Sequence, residues 1–217
     1  MACRGEKLRA AAAALLLYAL ASWPALAAPD FGAEHASDDA RYAAARVLAT
    51  ADHQQRPFAI VDKRDARIYV FEASGQLAGA SSALLGLAPG DTAVADIAQR
   101  LPASLAPHER STPSGRFESQ PGHNDKGEAI VWVDYAAALA IHRLRPAPAD
   151  ERRAERLASA TPDDNRISLG CIVVPVAFYE AVVEPALGRQ RGVVYVLPET
   201  RPVQALFGAD PLQLAKR

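Results

Sequence analysis

Cysteine is almost missing from this chain: its 217 residues contain only Cys3 and Cys171. A disulfide-stapled scaffold needs several pairs, so that class is excluded. Basic charge is not in excess either, with 24 Lys and Arg against 25 Asp and Glu. Without clustered cations to neutralise phosphates, nucleic-acid binding is excluded. There is no HExxH, no C-x-x-C and no close histidine pair, and so no candidate metal site. A Gly-rich phosphate loop and a G-x-S-x-G elbow are both absent, which argues against nucleotide handling and against a serine hydrolase of that type.

Long hydrophobic runs are scarce as well. Ala10–Leu20 is an unbroken apolar stretch of eleven residues, too short to span a bilayer. Arg4, Lys7 and Arg9 precede it and Ala25-Leu26-Ala27 follows, the layout of a cleaved export signal over residues 1–27. Counting on through Ser22, Trp23 and Pro24 to Ala28 gives nineteen residues, so an uncleaved anchor is the alternative. The chain is therefore expected to be exported, to the periplasm or cell envelope. Cleavage removes Cys3 and leaves Cys171 alone in an oxidising compartment. It then serves as a small buried hydrophobe, as a link to another chain, or as a nucleophile.

What is present reads as a mostly β domain with a few helices. Residues 28–36 form a mobile start. Ser37-Asp38-Asp39 caps a helix that runs on through ARYAAARVLATA and ends before Pro57, completing an N-terminal linker and helix over 28–56. The main domain spans 57–199, and 200–217 is a tail. Phe58–Asp62, Arg67–Glu72 and Leu77–Leu85 are strand-like, and the apolar run Ile68–Phe71 predicts burial on both faces. A short helix is expected at Thr92–Leu101. Strands follow after Thr112-Pro-Ser-Gly-Arg-Phe-Glu118, at Glu128–Asp134 and at Ala138–Arg143. A charged helix is expected over Asp150–Leu157, then a helix from Pro175 to about Val183 and a last strand at Val193–Leu197.

Nucleophilic sulfur chemistry needs a base to take the thiol proton and donors to hold an oxyanion. Of the five histidines, only His142 lies in an apolar strand, within AAALAIHRL, where a core would fix its ring. A satisfied core histidine reads the same way. Gly170, next to Cys171, lets the backbone turn sharply, so that the Gly170 and Cys171 amides could face a carbonyl oxygen. An ordinary turn glycine would look no different.

Four segments in order then resemble the L,D-transpeptidase catalytic domain: Thr112-Pro-Ser-Gly-Arg-Phe117, Ile141-His142, Ser168-Leu-Gly-Cys-Ile172 and Gly192–Val196. The resemblance covers about Phe58 to Leu197. It implies an L,D-transpeptidase-like β-sandwich domain working on peptidoglycan stem peptides, with no cofactor and with sensitivity to carbapenem-type inhibitors. By resemblance Cys171 attacks the carbonyl of the third stem residue to form a thioester, and His142 is the base. The Gly170 and Cys171 amides form the oxyanion hole, and the Arg143 carbonyl orients the imidazole. The chain departs from the family pattern at Leu169, where histidine is common, at Val173, where arginine or asparagine is common, and at Arg143, where glycine or serine is common. Arg143 or Arg166 would replace the missing cation for a stem carboxylate, with Ser168 completing the substrate-binding set. The longer stretch from His142 to Ser168 would supply its charged helix as a lid. An L,D-carboxypeptidase, a catalytically silent envelope protein that binds peptidoglycan, and a dimer joined through Cys171 are the competing readings.

Overall fold

The computed structural model describes residues 29–101 and 104–208; the expected export signal lies outside the described residues. Ten strands follow helix α1 (Asp38–Thr50): β1 (Phe58–Asp62), β2 (Arg67–Phe71), β3 (Leu77–Ser82), β4 (Leu85–Gly86), β5 (Gly115–His123), β6 (Ala129–Asp134), β7 (Leu139–Arg143), β8 (Arg166–Ser168), β9 (Ile172–Val174) and β10 (Gly192–Val196). Eight of them form one sheet in the order β3-β2-β1-β10-β5-β6-β7-β9, and β4 pairs with β8. The pairings are antiparallel except β1 with β10, β7 with β9 and β4 with β8.

The mostly β fold expected from the sequence is present, and β5 explains how one sheet makes two layers. Its first half, Gly115–Ser119, pairs with β10, and its second half, Gln120–His123, pairs with β6. The sheet folds over at that strand. Side-chain alternation then fills the space between the halves. Ala59, Val61, Ile68, Val70, Val194 and Val196 meet Val131, Val133, Leu139, Ile141, Ile172 and Val174 in one core. The opposite-facing residues Phe58, Ile60, Tyr69, Phe71, Val193 and Tyr195 form a second core under α1. The double-sided burial expected for Ile68–Phe71 follows from these two layers.

The Ser37 side chain caps α1 by accepting from the Ala40 amide at 3.0 Å, and Asp38 and Asp39 favour its N-terminus. The helix buries a face of small residues, Ala40, Ala43 and Ala44, with Val47. Of the stretch 28–36, expected to be mobile, the described part, residues 29–36, is instead docked. Phe31 is 1% exposed and meets Tyr69 and Phe71 edge-on at 5.1 and 5.5 Å. One aromatic in a polar stretch is a weak sequence signal, yet burying it contributes about 2 kcal/mol.

Other local expectations shift. The third strand stops at Ser82, because Ala83 turns back to bond Ala66 and Leu84 bridges to Val173. The helix expected at Thr92–Leu101 shrinks to a 3-10 turn at Ile97–Gln99 preceded by Asp96 at φ 57°. Helix α2 (Arg153–Ala158) is shorter than expected. The segment after Pro175 runs past Val183: α3 (Val176–Phe178), a π-helical turn (Tyr179–Val183) and α4 (Glu184–Leu187) form one rod.

Candidate active site

Strand β7 alternates strictly. Leu139 and Ile141 enter the core between the halves, so Ala140 and His142 face the other way. Its parallel partner β9 does the same: Ile172 and Val174 enter that core, while Val173 packs with Leu84 and Leu157. The register pairs Ile141 with Ile172 and His142 with Val173. Continued back one residue, it sets Cys171 beside Ala140. The candidate base on β7 and the nucleophile just before β9 thus sit two positions apart along the ladder, with Cα atoms roughly 8 Å apart by strand spacing and rise. An imidazole and a thiol together can bridge that gap.

His142 is 9% exposed, and its Nδ1 is 2.8 Å from the Arg143 carbonyl oxygen, the contact the resemblance implies. A carbonyl can only accept, so Nδ1 carries the proton and Nε2 keeps its lone pair. Burial pushes the imidazole down to about 4; the Arg143 carbonyl opposes this, and Arg145 and Arg153 add to it. At neutral pH the ring is an uncharged base.

Cys171 is half-buried, with Sγ 3.5 Å from the Ala138 carbonyl oxygen. It opens onto a cleft, yet protein crowds its sulfur. Burial raises the thiol above its ordinary value, against the opposing pull of an Ala140 backbone contact and of Arg145. The resting pair is a neutral thiol and a neutral imidazole, not a preformed ion pair.

The cleft has a volume of about 380 Å³, and its lining includes Ala138, Leu139, Leu169, Gly170 and Cys171. Trp132 and Tyr135, edge-on at 4.9 Å, also line it, with Val94, Ile97 and Leu105 from the loop before β5. That loop, not the charged helix, forms the wall. The expectation of α2 as a lid is corrected: Leu157 anchors it to Leu84 and Val173, and Ser82 Oγ donates to the Leu157 carbonyl.

Gly170 and Cys171 line the cleft; His142, Arg143, Arg166 and Ser168 are not among its walls. The Gly170 amide donates to Ser168 Oγ at 3.1 Å, so it is already engaged, and Ser168 Oγ donates to the Cys171 carbonyl at 2.7 Å. Ser168 therefore staples the loop. Arg143 reaches Glu180 at 3.2 Å and lies over the Tyr179 ring at 5.2 Å. Arg166 donates to the Lys63 carbonyl at 2.7 Å and to Glu199 at 2.5 Å. Both guanidinium groups are held by partners within the fold. Arg145, not singled out from the sequence, is the cation that acts on both Cys171 and His142, and it pairs with Glu128 at 2.8 Å.

Two further residues carry structure here: Thr112, which opens the first motif, and Lys63, not singled out from the sequence. Thr112 is fully buried; its Oγ1 accepts from the Gly86 amide and donates to the Gly170 carbonyl, both at 2.8 Å. Lys63 is 1% exposed, with Nζ 2.8 Å from both the Thr112 carbonyl and Asp91 Oδ1, close to the Gly90 carbonyl, and 3.3 Å from Glu199. Burial works against the Asp91 carboxyl, yet Lys63, Thr200 and the Glu199 and Thr200 amides hold it well below its usual range. Among the described residues no cluster of His, Cys, Asp or Glu could hold a metal, and no helix is long and apolar enough to cross a membrane.

No family model matches this sequence, and no curated protein matches it. Solved structures are similar to it at low identity. The helical cell shape determining protein Pgp2 from Campylobacter jejuni is 16% identical with a TM-score of 0.42, over 68% of this chain and 49% of that one. The catalytic domain of the E. faecium L,D-transpeptidase is 17% identical with a TM-score of 0.37, over 66% and 98%. The L,D-transpeptidase (residues 123–326) from Xylanimonas cellulosilytica is 16% identical with a TM-score of 0.38, over 65% and 60%. The chain spans about half the length of the Pgp2 chain it matches.

Proposed function

We propose that this chain is an exported L,D-transpeptidase that joins or remodels peptidoglycan stem peptides through a thioester on Cys171. One observation carries the reading: a histidine whose Nδ1 is fixed by the Arg143 carbonyl sits on the strand beside β9, and a cleft-lining cysteine immediately precedes β9. The four ordered motifs, the third of which contains that cysteine, support the substrate class.

The chemistry follows from the neutral pair. As the donor peptide enters, Nε2 of His142 takes the Sγ proton while sulfur bonds to the carbonyl carbon of the third residue. The tetrahedral intermediate collapses, its C–N bond breaks, and the imidazolium returns the proton to the departing D-alanine amine. An acceptor amine then attacks the thioester, His142 takes its proton, and the C–S bond breaks to release the thiolate, which is reprotonated. With the Gly170 amide engaged by Ser168, the Cys171 amide is the proposed oxyanion donor, a narrower assignment than the pair the resemblance implies. The cleft wall of Trp132, Tyr135 and Leu169 is the proposed peptide-binding surface, in place of Arg143 and Arg166. Water in place of the amine would give an L,D-carboxypeptidase.

Intact mass after incubation with a carbapenem tests the reading. The expected result is one covalent adduct, lost in Cys171→Ala and slowed by about 10²- to 10⁴-fold in His142→Ala. No adduct on the native chain, or an adduct that survives Cys171→Ala, overturns it. A binding-only envelope protein is favoured by one feature, the protonated resting thiol, and would bind stem peptides without forming any adduct. Purified tetrapeptide muropeptides separate the enzymes, since dimers mark transfer and tripeptides mark hydrolysis.

A further inference from the structure

Lys63 is a buried titratable group that the chemistry above does not use. It follows β1 directly, and its ammonium touches three separate segments. It donates to the Gly90 carbonyl and to Asp91 at 2.8 Å, both in the loop that leads into the cleft wall. It donates to the Thr112 carbonyl at 2.8 Å, and Thr112 Oγ1 donates in turn to the Gly170 carbonyl at 2.8 Å. It lies 3.3 Å from Glu199, which holds Arg166 at the other end of the cysteine loop. Arg166 also donates to the Lys63 carbonyl at 2.7 Å. Both ends of the loop from Arg166 to Gly170 are thereby tied to one buried cluster.

The fit at Gly170 is tight. A Cβ there would meet the Ser111 carbonyl oxygen at 2.9 Å, and its φ of +139° suits glycine. The Ser111–Thr112 backbone is therefore a stop against which the loop rests, and Lys63 fixes that stop. A buried charge is costly unless it is paired, so stability alone is weak reason to keep a lysine here; a hydrocarbon of similar volume would avoid the desolvation. Its three acceptors and the Glu199 carboxylate instead specify where three loops stand relative to one another.

We propose that Lys63 is a positioning residue for the nucleophile: through Thr112 and Gly170 it sets where Cys171 stands in the cleft, and through Asp91 it sets the loop that supplies Val94 and Ile97 to the wall. The consequence for reactivity rests on the reading of Cys171 as a nucleophile; the consequence for loop order does not.

Two rates at the same sulfur test this. Lys63→Met keeps the length and removes the charge. Its expected effect is opposite on the two rates: acylation by a carbapenem falls at least tenfold, while alkylation by iodoacetamide at pH 7 rises about tenfold as the loop loosens and the thiol becomes solvated. Lys63→Arg should restore part of both. Should Lys63→Met not fold, Thr112→Val cuts the last link and should move both rates in the same directions. Phe31→Ala, buried under α1 and remote from the cleft, is the control of lowered stability and should leave both rates within twofold while the protein stays folded. Unchanged rates in Lys63→Met and Thr112→Val, or equal changes in Phe31→Ala, overturn the proposal. If the native chain is not acylated at all, the enzymatic reading fails, and the alkylation arm still decides whether Lys63 orders the loop.

Discussion

Replacing His142 by asparagine separates the charge of the imidazole from its place in the fold. Asparagine is neutral at every pH, and its Nδ2 can still donate toward the Arg143 carbonyl. In the native chain the ring is 9% exposed and its burial pushes the pKa down to about 4, against about 6.5 in an unfolded chain. Between those values the unfolded chain binds a proton that the folded one refuses. Stability therefore rises with pH across this window: it is fully present above about pH 6.5 and lost as pH falls towards 4. At about 1.4 kcal/mol per unit, the loss attributable to this ring is about 3 kcal/mol. Urea unfolding of the native chain and of His142→Asn, at steps from pH 8 to pH 4, gives the stability difference at each pH. That difference should stay flat above pH 6.5 and shift by about 3 kcal/mol against the native chain by pH 4. A difference that stays constant within about 0.5 kcal/mol would refute the reasoning, because it would mean the ring can charge in place.

Two other substitutions probe the packing. Gly170→Ala puts a methyl against the Ser111 carbonyl oxygen at a φ of +139°; it should lower the denaturation midpoint by the equivalent of about 2 kcal/mol and change Cys171 alkylation kinetics, and a neutral result would show that the loop shifts freely. Phe31→Ala removes a ring that is 1% exposed and edge-on to Tyr69 and Phe71; thermal unfolding should report a loss of about 3 kcal/mol or more, and a loss below about 1 kcal/mol would mean that the lead-in is not docked.

Strand identity was legible where patterns were simple. The Phe58–Asp62 run is β1 to the residue, because both its faces meet apolar layers and nothing competes with extension. The Ser37 cap likewise announces α1, since the side-chain bond it makes is local. Failures came where distant partners decide. Thr92–Leu101 has helical composition, yet Asp96 adopts a left-handed conformation and Arg100 turns to Glu109 at 2.7 Å. Cys171 and His142 could be picked out as chemistry-bearing types, but their adjacency depends on β7 and β9 pairing in parallel. Arg143 and Arg166 looked available as substrate cations only because sequence does not show that Glu180 and Glu199 hold them. Lys63 was invisible for the same reason: a lysine after a strand normally reads as solvent-facing, and its three acceptors and the Glu199 carboxylate lie up to 136 positions away.

Strand β10 joins β1 to β5 at the centre of the sheet, although it is the last strand among the described residues. Until Gly192–Val196 is available, the hairpin of β1 to β3 and the block from β5 to β9 share no ladder, and the ledge on which the cysteine loop rests has no fixed counterpart across it. The central ladder therefore closes only once β10 has docked between β1 and β5. Such long-range closure makes folding slow.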